Sequence, residues 1–100
     1  MGEVALFVRL LAKPDKGQDV VDLLNEALVA VQDEPGTSTW FAVRFGLLEF
    51  GIFDTFPDEE ARRAHLTGRV AQKLKDNEHL FEETPSLETA DVLGAKLPPD

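Results

Sequence analysis

Thr37-Ser38-Thr39-Trp40-Phe41-Ala42-Val43-Arg44-Phe45-Gly46, then Leu47-Leu48, then Glu49-Phe50-Gly51-Ile52-Phe53-Asp54-Thr55-Phe56 is the stretch that decides the architecture. Both long runs are rich in β-branched and aromatic residues, as strands are. The gap of Leu47-Leu48 suits an antiparallel hairpin, with Gly46 expected to supply the unusual backbone angle. Phe41, Phe45, Phe50, Phe53 and Phe56, with the single tryptophan Trp40, concentrate the aromatic mass here. Period-two alternation separates Trp40, Ala42 and Arg44 from Phe41, Val43 and Phe45. One set should line the core or a pocket and the other a dimer interface; alternation does not say which.

Working outward, a helical pattern flanks the hairpin on each side. On the N-terminal side, Val20, Leu24, Ala27, Leu28 and Val31 recur at helical spacing. Asp15 with Gln18 reads as a capping box. Asp33-Glu34-Pro35-Gly36 ends the helix, because proline cannot continue it and glycine permits a sharp turn. On the C-terminal side, Asp58 is an N-cap, with Glu59 and Glu60 at the positive helix end. Ala61, Ala64 and His65 share one face while Arg62, Arg63 and Leu66 point elsewhere. Thr67-Gly68 breaks the helix, which resumes near Arg69 with Val70, Leu74 and Phe81 apolar and stops at Thr84-Pro85.

The outermost segments are strands. Residues 4–12 carry Val4, Leu6, Val8 and Leu10 on one face and Ala5, Phe7 and Leu11 on the other, with Arg9 the polar exception, before the turn at Lys13-Pro14-Asp15. Apolar residues on both faces mean cover on both faces. Residues 86–95 make a weaker fourth strand, and Leu97-Pro98-Pro99-Asp100 is a tail. The order β-α-β-β-α-β is the ferredoxin-like split βαβ arrangement, an α+β fold with a four-stranded antiparallel sheet and helices on one face only. Sheet-to-sheet pairing with a second copy is the simplest cover for the other face, which predicts a homodimer.

One hundred residues with 43% hydrophobic content form one domain, 1–100, with its core at about 4–95. The absence of cysteine excludes disulfides, thiolate zinc sites and thiol nucleophiles. A net charge of −9 argues against nucleic acid and anionic membranes as partners and favours solubility. Apolar stretches such as Ala27 to Val31 are too short to span a bilayer, and Met1-Gly2-Glu3 lacks the basic start of a signal peptide. Gly2 does not fit a myristoylation pattern, since Leu6 stands where Ser or Thr is required. A cytoplasmic location is expected.

Phe7-Val8-Arg9-Leu10-Leu11-Ala12-Lys13-Pro14 and Glu34-Pro35-Gly36-Thr37 resemble, respectively, the opening and the turn into strand 2 of the antibiotic-biosynthesis monooxygenase domains. Phe53-Asp54-Thr55-Phe56, Asp58-Glu59-Glu60-Ala61 and Ala64-His65-Leu66 resemble their acidic-aromatic strand end and alanine-histidine helix. The order and spacing of these motifs, over about residues 4–95, carry the likeness.

The resemblance implies a dimeric α+β barrel with a ligand pocket between sheet and helices. It also implies oxidation of quinols, anthrones or related small aromatics by molecular oxygen as co-substrate, without metal, flavin or another cofactor. There are departures: Phe56 replaces the usual tryptophan, Asp54 the usual glutamate, and no tyrosine is present. A mechanism needing a tyrosine hydroxyl is therefore impossible. Haem degradation is not expected, because Val8, His65 and Lys75 stand where that branch places asparagine, tryptophan and a haem-ligating histidine.

His65 is the leading catalytic candidate, as a neutral imidazole taking a proton from a phenol or quinol. The other reading is a partly buried histidine bonded to a backbone carbonyl or to Asp54. Asp54 is the second catalytic candidate, able to orient His65, or else to form an ion pair with Arg9 or Arg44 at the dimer interface. Trp40, Phe41, Phe53 and Phe56 are candidate substrate contacts, each with core packing as its alternative. His79 reads as solvated, and with the two histidines fourteen positions apart and no cysteine no metal pair is expected. No phosphate-binding glycine loop and no Gly-x-Ser-x-Gly elbow is present. Two functions follow: a cofactor-independent monooxygenase acting on a small aromatic or quinol-like molecule, or a non-catalytic dimeric module that binds a small ligand or a protein.

Overall fold

The polypeptide lays an open sheet against one layer of helices in a computed structural model that describes residues 3–99. The readings of Met1, Gly2 and Asp100 lie outside those residues. The elements run β1 (Val4–Leu11), α1 (Gly17–Val31), β2 (Thr39–Arg44), β3 (Glu49–Phe56), α2 (Glu59–Leu66), α3 (Arg69–Asp76), a 3-10 turn (Glu78–Leu80) and β4 (Ser86–Asp91). The sheet order is β2-β3-β1-β4, with every pairing antiparallel. This is the ferredoxin-like split βαβ arrangement.

The register explains which residues meet. Leu6, Val8 and Leu10 of β1 stand opposite Asp54, Ile52 and Phe50 of β3. Paired residues of an antiparallel ladder share a face, so this set forms the helix-facing side. Val8, Leu10, Phe50 and Ile52 pack there with Val20, Leu23 and Leu24 of α1 and with Leu80 and Phe81. Ala27, Ala30 and Val31 of α1 meet Val70 of α3, and Trp40 lies against both groups. Each fully buried side chain of this size contributes on the order of 1.5–3 kcal/mol. Trp40, Ala42 and Arg44 are thus the helix-facing set of β2, a choice alternation could not make.

The opposite face carries Phe7, Leu11, Phe41, Val43, Phe45 and Phe53. Phe41 and Phe45 are each 54% exposed and Phe53 is 38% exposed. Arg9 lies over the rings of Phe7 and Phe45, 5.3 and 5.0 Å from their centroids, and bonds Glu49 at 2.7 Å. Gly51 leaves room for these rings, since an added Cβ would sit 3.0 Å from Phe7 and 3.1 Å from Phe45 and the rings would have to shift. The helices therefore cover one face only, and an aromatic surface is left on the other.

Several local expectations are corrected. Helix α1 begins without a capping box: Asp15 takes a left-handed φ of 69°, Lys16 is the cap residue, and the Gln18 amide donates to Asp22 instead. Gly17 fits there because a Cβ would fall 2.6 Å from the Leu47 carbonyl oxygen. Leu28, counted with the apolar stripe, is 41% exposed. The hairpin loop is longer than two residues, and Gly46 has no positive φ. The Arg44 guanidinium closes that loop instead, donating to the carbonyls of Gly46 at 3.1 Å and Leu47 at 3.0 Å. Helix α3 stops at Asp76, well before Thr84-Pro85, and β4 ends at Asp91. No helix among the described residues is long and apolar enough to cross a membrane.

Candidate functional site

The site is built on α2 and β3. Asp58 starts α2 as expected, its Oδ1 accepting from the Ala61 amide at 2.8 Å. Arg62 then ties the helix to the sheet: its Nη1 donates to the Ala5 carbonyl at 3.0 Å and the Ala90 carbonyl at 3.3 Å, and Nη2 bonds Glu59. Arg62 is buried, so the expectation that it points away from the sheet is corrected. Those carbonyls accept a charged donor in place of water, which is what makes the burial tolerable. Three residues on, nearly one helical turn, His65 is held against the sheet.

His65 sits between two carboxylates. Its Nδ1 is 2.7 Å from Glu34 Oε1, and its Nε2 is 3.1 Å from Asp54 Oδ2. Thr37 Oγ1 donates to the same Glu34 oxygen at 2.7 Å. Phe56, fully buried, underlies the imidazole with ring centroids 5.0 Å apart. Burial alone lowers the His65 pKa, but the bonds to Asp54 and Glu34 and their negative charges outweigh it, and the pKa is raised above the ordinary 6.5. With a carboxylate on each nitrogen, the ring is favoured as an imidazolium that donates from both sides. The raised pKa extends the pH range over which the ring is an imidazolium beyond that of a free histidine.

Asp54 is 1% exposed and projects from the helix-facing side of β3, directly across from Trp40. It makes no ion pair with either arginine proposed for it. Arg9 bonds Glu49 on the far face of the sheet, and Arg44 caps the hairpin loop. Among the described residues, one carboxylate oxygen, Oδ1, has no hydrogen-bond partner, and neither has Trp40 Nε1. An unpartnered buried carboxylate oxygen costs free energy, so such an atom is a candidate ligand contact.

A cavity of about 350 Å³ opens beside that pair, between the sheet and helices α2 and α3. Leu6, Val8, Ile52, Val70, Leu74 and Leu87 give it aliphatic walls; Asp54 and His65 are its inner polar groups, and exposed Lys75 and Glu78 border it. The structure thus brings His65 and Asp54 together at a cavity but leaves the four aromatic candidates out of its lining. Phe41 and Phe53 stand on the opposite face of the sheet, Phe56 is packed beneath His65, and Trp40 is wedged between the core groups. Register pairs Phe41 of β2 with Phe53 of β3, on the side of the sheet turned away from the helices.

Glu34, in the turn that follows α1, supplies a carboxylate to His65 from 31 residues away, a role its local sequence does not announce. Its one sequence signal is its place in Glu34-Pro35-Gly36-Thr37, where the turn residues fix an acid near the helix end. Among the described residues no group of three or more His, Asp or Glu side chains has metal-holding geometry. Glu34 and Asp54 engage opposite nitrogens of one ring, so they do not converge on a common point. His79 is exposed.

No family model matches the chain, and no curated protein is significantly similar to it. Solved structures are. A candidate antibiotic biosynthesis monooxygenase from Nitrosomonas europaea superposes with a TM-score of 0.83 at 14% identity, over 91% of this chain and 99% of that one. A candidate of the same kind from Deinococcus radiodurans gives 0.79 at 18% identity, over 97% and 99%. The fold is therefore the ferredoxin-like fold of the antibiotic biosynthesis monooxygenases. Much nearer in sequence is the NE2512 protein of Nitrosomonas europaea, of unknown function, at 44% identity and a TM-score of 0.94, over 100% of this chain and 98% of that one. The chain belongs to one family with that NE2512 protein.

Proposed function

We propose that the protein is a cofactor-independent monooxygenase whose substrate is a small aromatic carrying an acidic hydroxyl, such as a quinol, with molecular oxygen as co-substrate. The observation that carries this reading is the Asp54–His65 pair lining an aliphatic cavity, with the buried Asp54 Oδ1 left without a hydrogen-bond partner among the described residues. A ligand hydroxyl donating to Oδ1 completes that atom's hydrogen bonding. His65 behind it holds Asp54 in place as the hydroxyl loses its proton. An electron-rich anionic ring can pass an electron to oxygen, and the aliphatic walls keep water from the reacting atoms. The names of the fold neighbours support the same reaction class, as an argument from analogy.

The reading includes a homodimer. The aromatic face of the sheet exposes Phe41, Val43 and Phe45 side by side on β2 and its loop, and a second copy is the cover that fits a fold left bare on one face. The non-catalytic alternative, a dimeric module that binds a small apolar ligand, is favoured by the aliphatic lining and by the lack of any tyrosine hydroxyl at the site.

Oxygen consumption by metal-free protein across a panel of hydroquinones and anthrones decides between them, with His65→Ala measured alongside. The monooxygenase reading expects uptake above autoxidation that collapses in the variant. Uptake no greater than background for every compound, with saturable binding of some of them, overturns it in favour of the binding module.

A further inference from the structure

We propose that Asp54, His65 and Glu34 form a proton relay through the helix layer, with Glu34 as its outer terminus. It rests on the reading above for its purpose, since it gives the proton of a cavity-bound hydroxyl a path to solvent. Three observations carry it. First, the three groups are contiguous: Asp54 Oδ2 to His65 Nε2 is 3.1 Å, and His65 Nδ1 to Glu34 Oε1 is 2.7 Å. Second, His65 borders two separate hollows. One is the aliphatic cavity on the Asp54 side; the other is a groove of about 340 Å³ on the Glu34 side, formed with Pro35, Gly36, Ala61 and Gly68. Third, burial is graded along the line, from 1% side-chain exposure at Asp54 through 8% at His65 to 19% at Glu34.

A purely structural histidine has no need of this arrangement. One carboxylate and the packing of Phe56 already orient the ring. A second, mostly buried carboxylate adds a desolvation cost. That cost has a use if the second nitrogen must release a proton toward water. Thr37 holds Glu34 Oε1 in place, while Oε2 lies toward Gly68, 3.5 Å from the position a Cβ there would take.

The ligand O–H bond breaks, its electron pair stays on the ligand oxygen, and the proton joins Asp54 Oδ1. The Nδ1 proton of His65 passes to Glu34 and then to water. Asp54 gains one positive charge and His65 loses one, so the three residues keep their summed charge while the ligand becomes an anion. The site as a whole then carries one more negative charge than before, located on the ligand oxygen, and the released proton is hydrated outside the low-dielectric interior. The other charged groups near the path are Arg69 and Asp33 at the groove and Lys75 and Glu78 at the cavity, none of them within hydrogen-bond distance of the ring.

The test is the exchange of the His65 ring N–H protons with water, followed by nitrogen-15 NMR in the wild type, Glu34→Gln and Glu34→Asp without any substrate. Glutamine keeps the length and accepts a hydrogen bond but not a proton; aspartate keeps the charge but falls short of the ring. The relay predicts exchange slowed by about a hundredfold or more in each folded variant, the scale of one positioned proton acceptor. A merely structural Glu34 predicts the reverse, because loosening the ring speeds its exchange. Unchanged or faster exchange in either folded variant overturns the relay, and if glutamine prevents folding the aspartate variant alone decides. Failure of the oxygen assay leaves this measurement untouched, so the two proposals fail separately.

Discussion

The two faces of the sheet are drawn from the same alternating strands, yet they differ in almost everything that follows. On the helix side, Leu6, Val8, Leu10, Phe50 and Ile52 are buried, and the one charged residue among them, Asp54, lies opposite a histidine that is itself backed by Glu34. On the other side, Phe41, Val43, Phe45 and Phe53 are exposed, and the charged pair Arg9–Glu49 is wet. Hydrophobicity alone does not distinguish the faces. What does is that α1, α2 and α3 all return to the same side, as right-handed crossovers in this topology require. The closed face can then hold a charge in low dielectric, and the open face offers contact area.

The largest expected effect breaks the closed face. Phe50→Ala removes a buried ring beside Leu10 and Arg44 and should cost about 3–5 kcal/mol in urea unfolding. A cost below about 1 kcal/mol would mean that this face is not the core. The open face should respond in association instead. Phe45→Glu places a charge in the aromatic patch and is expected to weaken dimerisation by about 2 kcal/mol or more, with a matching fall in sedimenting mass at low concentration. Wild-type protein that sediments as a monomer at micromolar concentration would remove the dimer from the comparison.

Smaller still, Asp58→Ala deletes the cap of α2 and should lower stability by about 1 kcal/mol while leaving the open face and its association unchanged. The last contrast needs only a change of pH. His65 has a raised pKa in the folded state, so between the ordinary 6.5 and that raised value the folded chain binds more protons than the unfolded one. Its stabilising contribution is fully present below 6.5 and is lost as pH rises through the folded value. Denaturation midpoints should therefore fall across that window in the wild type, and the fall should flatten in His65→Gln. Equal slopes in both proteins would assign the pH dependence to other groups.

The legible parts of this molecule are those whose cause is local. Asp58 caps α2 because a side-chain oxygen can reach an amide three residues on, and that geometry is contained in Asp58-Glu59-Glu60-Ala61. Thr67-Gly68 separates α2 from α3, and Pro35-Gly36 follows the end of α1, for equally local reasons. Even some local readings were lost to neighbours. Asp15 gave up the cap to a left-handed turn that lets α1 start with Gly17 against the hairpin loop. Arg62 was drawn inward by carbonyls of β1 and β4 that no helical periodicity could announce.

Sequence by itself determined the element order β-α-β-β-α-β, the two alternating sets on each strand and the presence of one histidine at the inner face of α2. Periodicity and capping act over a few residues, and they are written in the chain. Tertiary structure alone decided that Phe41 and Phe53 face away from the cavity, that Asp54 meets His65 rather than an arginine, and that Glu34 closes on the same ring. Those outcomes depend on strand register and on the side to which the helices return, and both are set by packing between segments far apart in the chain.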